Sequence, residues 1–109
     1  MDRIDKILNH DLFLYHLGKN NAAEADRRFC RHSMVHFLDV ARIGTIIALE
    51  AGLELDREWI YAAALLHDCG KHEQYENGTP HEQASARIAP EILKDCGFDD
   101  KETDVIVTA

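Results

Sequence analysis

The chain has 109 residues, enough for one domain with a modest core and too few for a cofactor domain joined to a separate substrate domain. Hydrophobic residues make up 46% and charged residues 29%, with two prolines and six glycines, which excludes collagen-like, low-complexity and long disordered chains. Twelve basic residues against twenty acidic ones leave a net charge of −8, which disfavours nonspecific nucleic-acid binding.

Apolar residues recur with a 3.6-residue period and nowhere alternate with period two, so the expected class is all-α, a compact bundle of about five or six helices. Residues 3–19, carrying Ile4, Ile7, Leu8, Leu12 and Leu17, predict one or two short helices closed at Gly18, with Asn20 and Asn21 in the turn. Residues 22–51 form a long pattern ending at Gly52 as the residue after the cap. Asp56 is placed to cap a helix from Arg57 to about Cys69, with Leu55 and Ile60 at staple positions. Gly70 predicts its end, and residues 71–79 read as a polar loop.

Thr79-Pro80-His81-Glu82 reads as a helix start, with Thr79 as N-cap, Pro80 at N1, His81 at N2 and Glu82 completing a capping box. That helix is expected to run to Gly97, kinked or broken at Pro90, and Asp99 to open a last helix reaching Ala109 without a stop signal. Cys30, Cys69 and Cys96 are an odd set without paired spacing and read as reduced thiols. No long apolar run is present, so the expectation is a cytoplasmic protein without a membrane span.

Chemistry concentrates around His67 and Asp68, at the end of the apolar run Ala62 to Leu66. A carboxylate entering a buried environment needs a partner, and a divalent cation is one; a capping acid beside a hydrogen-bonded histidine is the other. Imidazole with carboxylate suits manganese, iron, cobalt, nickel or zinc, and magnesium less well. His36 has Phe37, Val40 and Ala41 near it at helical spacing, so it reads as a core histidine or, paired with His67-Asp68, as a third ligand. His81, near a helix N-terminus, reads as site or surface. Lys71 is the first candidate for a phosphate contact, although a lysine after a helix-ending glycine also serves helix electrostatics. Arg31 and His32 are further phosphate candidates, while His10, His16 and His72 are expected at the surface.

His36 in HFLDVA and the segment LLHDCGK, residues 65–71, resemble the HD-domain superfamily of metal-dependent phosphohydrolases. The resemblance spans roughly Arg28 to Leu93. It implies one HD-like domain over residues 1–109, with further C-terminal helices beyond it, in which His36, His67 and Asp68 hold a divalent ion. His81, in PHEQASARIAPEIL, matches the region where some members carry a histidine for a second metal. The family's late aspartate has no match here, since Asp104 follows His81 too closely. By resemblance the expected activity is divalent-metal-dependent hydrolysis of a phosphate ester, with Asp68 and Lys71 as catalytic residues and a phosphorylated small molecule or nucleotide as substrate. A noncatalytic metal- or nucleotide-binding regulatory module is the alternative, and a homodimer stays open as an assembly.

Overall fold

A computed structural model describes residues 1–25 and 34–108. Among these it contains seven helices and no strand: α1 (Asp2–Leu8), α2 (Asp11–Ala23), α3 (Met34–Glu50), α4 (Arg57–Leu66), α5 (Lys71–Asn77), α6 (His81–Asp95) and α7 (Asp100–Thr108). The all-α class is as the periodicity predicts. Two of the helices, α1 and α5, are only seven residues long. No helix among the described residues is long and apolar enough to cross a membrane.

The apolar run in α4 makes it the axis of the bundle, packed against α1, α3, α6 and α7. Ala62, Leu65 and Leu66 are buried there with Ile4 and Ile7 of α1, Phe37 of α3 and Ile92 and Leu93 of α6. As predicted, Asp56 caps α4: its Oδ1 accepts from the Glu58 N–H at 2.8 Å. Leu55 and Ile60 line one apolar groove beside this start, with Leu55 still 53% exposed.

Gly52 (φ 71°) and Gly97 (φ 93°) take the left-handed conformation just past α3 and α6. Both ends carry the two bonds of a Schellman motif. The Leu53 and Gly52 N–H groups donate to the Ala48 and Leu49 carbonyls, and those of Phe98 and Gly97 to Leu93 and Lys94. Phe98 is buried, so the second motif also has its apolar anchor.

Several local expectations are corrected. Gly18 does not close a helix; α2 continues through Asn20 to Ala23, because an interior glycine costs only about 1 kcal/mol relative to alanine while the face Phe13, His16, Asn20 is buried. The pattern over 22–51, whose continuity near Arg31 the sequence leaves open, is divided between α2, which ends at Ala23, and α3, Met34–Glu50, with residues 26–33 outside the described part. Residues 71–77 are helix α5 rather than loop. Only His72 of that helix is buried, so it shows no amphipathic pattern and is held by packing on α2 and α6.

Thr79 does not cap α6. Its hydroxyl donates to Asn77 Oδ1 at 2.6 Å, Pro80 occupies the cap position, and His81 is the first helical residue. The capping box forms instead at Asp99, whose Oδ1 accepts from Glu102 N–H while Glu102 Oε1 accepts from Asp99 N–H. Finally, α6 runs unbroken across Pro90, its buried face of Ile88, Ala89, Ile92 and Leu93 offsetting the missing backbone donor.

Candidate metal centre

The α4 helix ends at Leu66, and residues 67–70 form the turn that leads into α5. His67 is the C-cap and Asp68 follows it, 7% exposed. His36 reaches the same place from α3, its ring centroid 6.5 Å from that of His67. Phe37, fully buried, meets the His67 ring edge-on at 5.9 Å and forms a wall behind it. One donor atom each from His36, His67 and Asp68 lie within 4.8 Å of one another, close to the roughly 4 Å that opposed ligands of one ion span. Helix α3 and the end of α4 therefore bring these three together, as the family resemblance implies.

Proton positions follow from the other partner of each ring. His67 Nδ1 lies 2.6 Å from the Ala64 carbonyl, which only an N–H can satisfy, so Nε2 is the nitrogen facing Asp68 Oδ2 at 3.0 Å. His81 repeats the pattern. Its Nδ1 donates to Gln74 Oε1 at 2.8 Å and its Nε2 faces Asp68 Oδ1 at 3.4 Å. In both rings the neutral tautomer directs a lone pair at a carboxylate oxygen, an arrangement that only a proton or a metal cation between them makes favourable. The His67 pKa is raised, first by the Asp68 hydrogen bond, with burial opposing. A divalent ion would take the same lone pairs, so two imidazoles and a carboxylate fit it.

His81 and Asp68 line a cavity of about 230 Å³ together with His67, with Ser85, Ala86 and Ala89 of α6 and with Ile106 and Val107 of α7. Lys71 stands beside this cavity, its Nζ 3.4 Å from His81 Nδ1. It does not follow a helix-ending glycine. Gly70 is the N-cap of α5 and Lys71 its first residue, where a cation gains nothing from the helix dipole. Helix electrostatics therefore gives no reason for a lysine there. Arg31 and His32 lie outside the described residues. Asp104 is exposed on α7 and is not one of the three grouped donors.

Gly70 is required for space rather than for an unusual φ. A Cβ there would sit 2.7 Å from Ala84 Cβ and 2.8 Å from the Ala84 and Ser85 backbone. This close approach lets Ser85 Oγ accept the Gly70 N–H at 3.0 Å, fastening the turn to α6. Cys69 is sealed beneath, its thiol pushed up to about 12 by burial, so it is an inert core residue. Cys96 is likewise buried and free.

The histidines expected at the surface behave otherwise. His16 (8% exposed) and His72 (3%) are buried and hydrogen-bonded to each other, Nδ1 to Nε2, at 2.7 Å. His10 caps α2 by accepting the Leu12 N–H at Nδ1, and its Nε2 lies 2.8 Å from Asp95. Asn20, expected in a turn, is fully buried against the site. The sequence does hold a signal for it, since Phe13, His16, Asn20 and Glu24 recur at helical spacing and are all buried.

The HD domain family matches residues 34–109. A protein from Clostridium beijerinckii (strain ATCC 51743 / NCIMB 8052), described as uncharacterized, is 49% identical over 106 residues, covering 97% of this chain and 68% of the relative. No solved structure matches the chain.

Proposed function

From the premise that the chain belongs to the HD domain family, we propose that it hydrolyses a phosphate ester of a small molecule or nucleotide with the help of one divalent cation held by His36, His67 and Asp68. The observation that carries this reading is the convergence of those three donors from α3 and the end of α4. A bound divalent ion would lower the pKa of a water molecule and polarise the phosphoryl group.

The chain's own groups supply the rest. Asp68 offers two oxygens, one toward His67 and one toward His81, so one oxygen can hold an ion while the other accepts a proton or shares a second ion with His81. Lys71, whose Nζ lies 3.4 Å from His81 Nδ1, is the cation we assign to stabilising negative charge building on phosphoryl oxygens. Ile106, Val107, Ala86 and Ala89 supply an apolar part of the cavity lining.

The test is metal analysis of the purified protein, then hydrolysis of aryl and nucleotide phosphates with manganese, iron or magnesium. The expected result is a stoichiometric ion and turnover, both lost in Asp68→Ala. Bound ion without turnover would instead favour a regulatory module, and activity persisting in Asp68→Ala would overturn the reading.

A further inference from the structure

The α4–α5 junction that carries His67 and Asp68 leaves helix-end backbone groups on both sides, carbonyls behind and N–H groups ahead. The N-cap of α5 is glycine and supplies no side-chain hydrogen bond. A side chain from a helix about fifty residues away fills the gap. Asn20 Nδ2 donates to the Asp68 carbonyl at 3.0 Å, and Asn20 Oδ1 accepts the His72 N–H at 2.8 Å. One amide thus joins the turn after α4 to the start of α5. The fit is chemical as well as geometric, because a carbonyl and an N–H need a donor and an acceptor a short distance apart, and a primary amide is the side chain that offers both. Asn20 is fully buried, so water cannot replace either bond.

We infer that Asn20 is a positioning residue of the metal centre, fixing the peptide from Asp68 to His72 and hence the direction in which Asp68 presents its carboxylate. Its two bonds go to backbone, so it touches neither ion nor substrate. The Lys71 N–H shares the Asp68 carbonyl at 3.0 Å, which ties the lysine's own position to the same bridge. The inference rests on the metal-binding reading above, and the experiment separates the two.

Asn20→Ala and Asn20→Asp are compared with Phe13→Leu, which loosens the packing of the same helix without touching the bridge. Manganese affinity is followed by titration and the Lys71 and His72 amides by hydrogen exchange. In Asn20→Ala the expected result is manganese affinity weakened by about 10–100-fold, as for lost outer-shell support, with faster exchange at both amides. Asn20→Asp, nearly the same shape, keeps the acceptor and loses the donor, so it should retain protection at His72 while still binding manganese more weakly. Asn20→Ser, which buries no charge, is the further variant where either of these fails to fold. Phe13→Leu should lower stability with little change in affinity. Equal affinity losses in Phe13→Leu and the folded Asn20 variants would overturn the inference. If the unsubstituted protein binds no manganese, the functional reading fails, and exchange alone decides: acceleration confined to the junction supports positioning, and acceleration spread along α2 contradicts it.

Discussion

The two ends of α4 are both fixed by long-range polar contacts, yet they handle charge in opposite ways. At the N-terminal end Arg3 closes a clamp: its Nε bonds Glu58 at 2.9 Å, its Nη1 bonds both Glu102 oxygens, and the guanidinium lies 4.1 Å from the Phe98 ring. The Trp59 indole N–H adds a 2.7 Å bond to Glu102, and holds that carboxyl below its usual range. At the C-terminal end the turn is held by neutral groups, Asn20 and Ser85, acting on backbone. The Asp68 carboxylate there faces the imidazoles of His67 and His81. Carboxylates matched to arginine build stability, whereas a carboxylate facing imidazole lone pairs keeps a place that a metal cation can take.

Exchanging charge at each end gives the largest contrast. Asp68→Ala is expected to weaken manganese binding by more than about 100-fold, beyond the range for outer-shell changes, whereas Glu58→Gln should leave it unchanged. Calorimetric titration of both variants reads this directly, and equal losses would erase the distinction between the ends. Gly70→Ala comes next. Its Cβ meets Ala84 and Ser85 backbone that cannot swing away, so unfolding free energy should fall by about 2–3 kcal/mol in a denaturant titration, with metal affinity falling too.

Arg3→Ala should lower stability by about 1–2 kcal/mol through lost charge-assisted hydrogen bonds, with metal affinity intact. A smaller effect sharpens the picture behind the turn. The His16 pKa is lowered, first by burial and then by His72 and Arg87, with Glu73 and Glu76 opposing. The unfolded chain therefore takes up this proton at higher pH than the native one. The contribution is fully present above about pH 6.5 and is lost as pH falls from there toward the lower native value. Tm measured from pH 7.5 down to 5 should decline less steeply in His16→Gln than in the parent; identical slopes would assign the acid sensitivity elsewhere.

His36, His67 and Asp68 are legible in the sequence because metal chemistry uses those side chains and because HFLDVA and LLHDCGK resemble the HD-domain pattern, whereas spacing alone leaves His36 open as a core histidine. What supports them is far less visible. Asn20 and Asn21 carry turn chemistry, and only the spacing from Phe13 and His16 shows that Asn20 points inward. Thr79 and Asp99 each precede a glutamate by three residues, but Asn77 takes the Thr79 hydroxyl, so the motif forms at Asp99 alone. Helix α5 is hidden for another reason: with one buried residue, its stability comes from α2 and α6 rather than from its own pattern.

The most direct test is an anomalous-scattering map of crystals grown with manganese. The expected result is one peak lying about 2.0–2.3 Å from a donor atom of each of His36, His67 and Asp68. A fully occupied peak held by other groups, or one that leaves His36 out, would contradict the shared site.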